Sequence, residues 1–114
     1  MAAMSAYTLT LSVVIPCLNE AERLPLLLAD LNRWPLSIEI TVVDGGSNDQ
    51  SHRISSLAGG RFITKNPPGR GKQLAAGAEH FIQQTQSQWL LFLHSDSRLP
   101  SHWGSSVLRR IQEP

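Results

Sequence analysis

The chain has 114 residues, 41% of them hydrophobic and 17% charged, which suits one compact domain with a single core and is too short for two. Ten Lys and Arg against nine Asp and Glu leave a net charge of +1, arguing against a generally cationic nucleic-acid binder and against an acidic disordered chain. The single cysteine, Cys17, excludes an internal disulfide; the start, MAAMSAYTLTLS, lacks a basic leader, and no run approaches the ~20 apolar residues of a bilayer span, so a soluble, cytoplasmic protein is expected.

Residues 9–16 (LTLSVVIP) read as a first strand. Residues 20–33 (EAERLPLLLADLNR) set Leu24, Leu27, Leu28 and Leu31 at helical spacing, with Pro25 expected in the first turn, where it is tolerated. A second strand is expected over 38–43 (IEITVV), followed by a Gly-Gly-Ser-Asn-Asp turn with Ser47 or Asn48 available to cap a helix running to about Leu57. A short third strand follows at Arg61–Thr64. KNPPGRGKQ is a loop by its Pro and Gly content and leads into a helix from about Lys72 to Gln84, with Leu74, Ala75, Ala78, Phe81 and Ile82 inward. WLLFL, 89–93, reads as a fourth strand, and Ser101 as the cap of a last helix through Val107, Leu108 and Ile111. There is no internal repeat and no low-complexity linker.

Strands alternating with helices predict an α/β fold with a parallel sheet, and the continuously apolar strands fit a sheet covered by helices on both faces. In such sheets ligands bind beyond the carboxyl ends of the strands, where the strand order reverses. The polar clusters fall at those ends: PCLNE after the first strand, DGGSND after the second, KNPPGRGKQ after the third and HSDS after the fourth. Between Asp49 and Glu79 there is no acid, whereas Arg53, Arg61, Lys65, Arg70 and Lys72 all lie there, a basic stretch suited to an anionic ligand. Two strand-end carboxylates, glycine-rich backbone and the Arg70/Lys72 pair around one crevice match a nucleoside diphosphate with a divalent cation. Carboxylate oxygen is a hard ligand for Mg²⁺ or Mn²⁺, and amides at a glycine turn or helix N-terminus can hold phosphates.

Each cluster also has a plainer reading. Asp44 can start a turn and Asp49 can cap a helix. GRGK lacks the full spacing of a phosphate loop and by itself reads as a flexible turn. His94 can be a satisfied strand-end histidine, and His52, His80 and His102 have no ligand spacing. Cys17 reads as a small buried residue, since no partner base is evident. Four polar clusters at four successive strand ends are what favour a site.

Taken together, SVVIPCLNEAERL, EITVVDGGSND, the basic Gly-rich turn before an Ala-rich helix, and LLFLHSDSRLP resemble the N-terminal half of a family 2 glycosyltransferase of the GT-A fold. The resemblance runs from about Leu11 to Trp103 and is close to a bacterial subgroup whose aspartate motif begins with histidine. It implies a Rossmann-like sheet of about four strands in the order 3-2-1-4. It also implies a nucleotide-diphosphate sugar donor, usually a UDP-sugar, a Mn²⁺ or Mg²⁺ cofactor, and metal-assisted transfer with inversion to an unknown acceptor.

By position, the resemblance implies that Pro16, Cys17, Asn19 and Glu20 lie under the nucleotide, that Asp44 with the Gly45-Gly46 turn meets its base or ribose, and that Arg70, Gly71 and Lys72 border the base or diphosphate. The family's Asp-x-Asp signature falls on His94-Ser95-Asp96, with Asp96 as the metal ligand. His94 stands in place of the first aspartate, and Gly45 in place of an acid common in the second-strand motif. The family's catalytic base lies well after the aspartate motif and matches nothing up to Pro114, so residues 1–114 are expected to form a single donor-binding domain of an incomplete transferase. An open fourth strand would then favour a homo-oligomer. The competing readings are a non-catalytic nucleotide-binding module and an unrelated doubly wound phosphate-binding domain.

Overall fold

The computed structural model describes residues 10–84 and 87–112; Leu9, the first residue of the expected opening strand, lies outside them. Strands and helices alternate: β1 (Leu11–Cys17), α1 (Leu24–Leu31), β2 (Ile38–Asp44), α2 (Ser51–Leu57), β3 (Arg61–Thr64), α3 (Arg70–Gln84), β4 (Trp89–Phe92) and α4 (Trp103–Gln112). All pairings are parallel and the order is β3-β2-β1-β4, as expected.

Parallel crossovers are right-handed, so the direction of travel across the sheet decides which face each helix covers. The steps from β1 to β2 and from β2 to β3 run one way and put α1 and α2 on one face. The step from β3 to β4 runs back across β1 and puts α3 on the other.

The core lies on the α1 face. Leu11, Val13, Ile15 and Cys17 of β1, with Ile40 and Val42 of β2, pack against Leu24, Leu27, Leu28 and Leu31 of α1 and against Trp34 and Trp103. Fully burying one such leucine stabilises by about 1.5–3 kcal/mol, so the four on α1 are sufficient to seat that helix. Val107, Leu108 and Ile111 add α4 to the same face, and Trp103 stacks on Trp34 with ring centroids 5.5 Å apart. No helix among the described residues is long and apolar enough to cross a membrane.

Three local expectations change. The first helix begins at Leu24 rather than Glu20, because residues 20–23 form a turn in which Arg23 and Leu24 N–H donate to the Glu20 carbonyl. Pro25 does fall in its first turn. Neither Ser47 nor Asn48 caps α2; Asp49 Oδ1 accepts the Ser51 N–H at 2.9 Å and holds the first turn. On α3 the buried residues are Gln73 and Gly77, whereas Ala75 is exposed and Ile82 is 76% exposed. The helix is turned away from its apolar row because Gly77, having no side chain, lets it settle on Val14; a Cβ there would overlap Val14 Cγ1.

Candidate functional site

The chain reverses its direction of travel at β1, and a cleft of about 190 Å³ opens there, beyond the carboxyl ends of β1 and β4. Pro16, Cys17, Leu18 and Glu20 line it from β1, Arg70 and Gln73 from the start of α3, and His94, Ser95 and Asp96 from the segment after β4. Register accounts for the gathering. β4 pairs with β1 only from Trp89 opposite Leu11 to Phe92 opposite Val14, three residues short of the end of β1. Leu93 N–H still reaches the Val14 carbonyl at 3.1 Å, after which His94–Asp96 turn beside Pro16 and Cys17. Ser97 N–H donates to the His94 carbonyl at 3.0 Å and closes that turn, with Ser95 buried and His94 and Asp96 exposed.

Asp96 is half open to solvent, and its nearest cation is Arg23 Nη1, 3.6 Å from Oδ2 and itself exposed. An ion pair that exposed contributes little, so the carboxylate can take a stronger partner. No three His, Cys, Asp or Glu side chains come together among the described residues. A divalent cation at Asp96 would therefore complete its shell with phosphate oxygens and water, a common arrangement for Mg²⁺. At about 190 Å³ the cleft is smaller than the roughly 300–1,000 Å³ of typical small-molecule sites.

The other expected residues form the wall beside the cleft. Asp44, 2% exposed, directs both carboxylate oxygens into its own loop: Oδ2 accepts the Gly46 and Ser47 N–H groups at 2.9 and 2.6 Å, and Oδ1 accepts the Ser47 hydroxyl. Asn19, at φ 51°, a left-handed conformation asparagine tolerates, donates its N–H to Ser47 Oγ at 2.7 Å and accepts the Asn48 N–H at 2.9 Å. Asp49 Oδ2 accepts the Ala21 N–H at 3.1 Å. These bonds stitch the loop after β1 to the loop after β2. Hydrogen bonding, foremost from the Ser51 side chain, holds the Asp49 carboxyl below the usual carboxylate range, and burial pushes the Cys17 thiol above its ordinary value.

Gly45 has a steric reason to lack an acid. A Cβ there would come within 2.8 Å of Pro68 Cβ and 3.0 Å of Gln73 Oε1, so no side chain fits while the loop after β3 keeps its place. Gly46, at φ 113°, needs the left-handed freedom of glycine. Gly71 and Lys72 are exposed on the first turn of α3, outside the cleft lining.

Sequence reasoning missed Leu18 and, more important, Gln73. Buried at 4% exposure, Gln73 donates Nε2 to the Cys17 and Val43 carbonyls at 3.0 and 2.8 Å and accepts the Gly69 N–H on Oε1 at 3.0 Å. It ties the ends of β1 and β2 to the turn that presents Arg70. The available signal was its place one helical turn before Gly77, on the same face.

The glycosyl transferase family 2 model matches residues 12–114. A 4,4'-diaponeurosporenoate glycosyltransferase of Staphylococcus haemolyticus is 34% identical over 99 residues, 81% of this chain and 25% of that protein. Among solved structures, residues 1–349 of S. aureus TarS match with a TM-score of 0.77 at 22% identity, over 90% of this chain and 32% of that one. Glucosyl-3-phosphoglycerate synthase from Mycobacterium tuberculosis, solved with Mn²⁺, UDP and glucosyl-3-phosphoglycerate, matches with a TM-score of 0.60 at 23% identity, over 78% of this chain and 35% of that one. These likenesses show the fold. The chain spans 29% or less of the curated relatives it matches.

Proposed function

Because the chain belongs to glycosyl transferase family 2, we propose that it supplies the donor-binding half of an inverting transferase that moves a sugar from a nucleotide diphosphate, a UDP-sugar, to an acceptor. The observation that carries the reading is the meeting of Asp96 with Arg70, Glu20 and His94 in one cleft at the switch point of the sheet. Arg70, which lines the cleft from the start of α3, would meet the diphosphate with positive charge and donors. Asp96 would hold a Mn²⁺ or Mg²⁺ ion, which when bound would supply neutralisation of the charge that develops on the leaving group. His94, exposed in the cleft in place of an acid, offers an imidazole to the donor, while Asp44, Asn19 and the Gly45-Gly46 turn act through the shape of the wall. The Mn²⁺ and UDP held by the mycobacterial synthase support this assignment of donor and ion.

The setting that suits the free thiol of Cys17 is a reducing, cytoplasmic one. β4 is an edge strand of the sheet, with Trp89 43% and Phe92 46% exposed, which supports pairing with a second copy.

Titration calorimetry of UDP in Mn²⁺ and in EDTA tests the central claim. Asp96→Ala is expected to remove most of the metal-dependent gain in affinity, because a methyl group cannot replace an oxygen ligand at a hard cation. UDP binding that is insensitive both to the metal and to the substitution would refute the donor site.

A further inference from the structure

The turn that carries Asp96 is clamped from behind by α1. Asp30, in the last turn of that helix, is 1% exposed, yet its carboxylate is fully engaged. Oδ2 accepts Arg98 Nε at 2.8 Å and the Leu99 N–H at 3.0 Å; Oδ1 accepts Arg98 Nη2 at 3.2 Å and Arg33 Nη2 at 2.6 Å. Its backbone carbonyl accepts Trp103 Nε1 at 2.7 Å, and Trp103 stacks on Trp34 just beyond the same helix. Foremost through the Arg98 hydrogen bond, the Asp30 carboxyl is held down to about 2.

A buried, paired charge is a poor way to gain stability alone, since apolar packing of the same volume serves as well or better. What this one secures is position. Ser97 N–H closes on the His94 carbonyl on one side of Asp96, and Arg98 and Leu99 are fixed to Asp30 on the other. At the opposite end of α1, Arg23 reaches Asp96 itself.

We infer that Asp30, with Arg98 as its partner, is a positioning residue for the cation site: the pair holds residues 97–99 so that Asp96 already faces the cleft before a diphosphate and its metal arrive. The inference rests on the donor-site reading above. Without the pair, the turn would have to be ordered on binding, and ordering one residue's backbone corresponds to roughly a tenfold loss of affinity.

The test is UDP titration of the full chain in Mn²⁺ and in EDTA, for the unsubstituted protein and for Asp30→Asn, Arg98→Lys and Arg33→Ala. Asp30→Asn and Arg98→Lys are expected to lower the Mn²⁺-dependent gain about tenfold while leaving affinity in EDTA within about twofold. Arg33→Ala removes a neighbour of Asp30 that does not hold the turn, and is expected to keep the gain. If Asp30→Asn does not fold, the contrast between Arg98→Lys and Arg33→Ala decides the matter. A gain retained in Arg98→Lys and in any folded Asp30→Asn, or lost equally in Arg33→Ala, overturns the inference. No Mn²⁺-dependent gain in the unsubstituted chain is a different result and overturns the donor-site reading along with the inference.

Discussion

One methyl group at residue 77 is expected to shift the helix that carries Arg70 and Gln73 into the cleft. Gly77 sits over Val14, and an added Cβ would overlap Val14 Cγ1 and lie 3.1 and 3.2 Å from its Cγ2 and Cβ. Val14 has nowhere to go: it is 2% exposed, β-branched, and paired with Thr41 on one side and Phe92 on the other. Alanine gains about 1 kcal/mol of helix propensity over glycine, but an overlap this close belongs to the upper part of the overpacking range, about 2–3 kcal/mol, so Gly77→Ala is expected to destabilise by about 1–2 kcal/mol. In a chain of 114 residues that lowers the melting temperature by roughly 4–8 °C. Gln73 lies one turn away, so lifting α3 also strains its bonds to the Cys17 and Val43 carbonyls, and UDP affinity should fall with stability. Val14→Ala alone should cost about 1.6 kcal/mol for two buried methyl groups. Combined with Gly77→Ala it makes room for the new methyl, so the double variant should be at least about 1 kcal/mol more stable than the sum of the single effects. Circular-dichroism melting of the four proteins measures this. A Gly77→Ala chain that melts as high as the parent, or single effects that simply add, would refute the close seating.

Asp44→Asn replaces an acceptor of three hydrogen bonds by an amide with one acceptor oxygen, so it should lose about 1–2 kcal/mol of stability and weaken UDP binding together; lost affinity at an unchanged melting temperature would mean that Asp44 acts on the ligand directly. Asp30 titrates at about 2 when folded against an ordinary 3.8, so the stability it contributes, about 2 kcal/mol, is fully present above about pH 4 and lost as the pH falls towards 2. The difference in melting temperature between the parent and Asp30→Asn should therefore shrink across that interval, and a constant difference would count against the clamp. For the edge formed by β4, light scattering should show a dimer or larger assembly at high micromolar concentration, and a strictly monomeric, folded chain would sink that proposal.

The alternation of elements was legible because each carries its own period: LSVVIPC and IEITVVD are apolar on both sides, and the leucines of α1 recur along one face. The strand ends were legible for the same reason, since an apolar run that stops at a polar cluster marks where a parallel sheet meets solvent. Seven of the expected residues, Pro16, Cys17, Glu20, Arg70, His94, Ser95 and Asp96, do meet in one cleft. The phase of α3 was not legible, because hydrophobic periodicity ranks Ile82 above Gly77, whereas close approach to Val14 favours the smaller residue. Nor was the use made of the acids. Asp30 looks like a polar interruption of a leucine-rich helix, and only the fold brings Arg98, 68 residues away, onto its carboxylate.

The acids of the strand-end loops, and Asp30 of α1, divide by what already satisfies them. Asp30 and Asp44 are buried and saturated with donors from the protein, and Asp49 is held by Ser51 and Ala21; recruiting any of them to a cation would break the loops they secure. Asp96 differs in being exposed, on a turn closed by other groups, with one long ion pair to Arg23. Of the cleft's own acids only Glu20 stands with it, and the backbone N–H of Glu20 is tied to Ser51 Oγ at 3.3 Å. His94, the titratable neighbour of Asp96 in the cleft, is not an acid, and a divalent ion bound to one carboxylate would draw most of its shell from elsewhere. The diphosphate is the natural source of those oxygens. On the proposed function the ion and the nucleotide would complete one another's site, between the carboxylates of Asp96 and Glu20 on one side and Arg70 on the other.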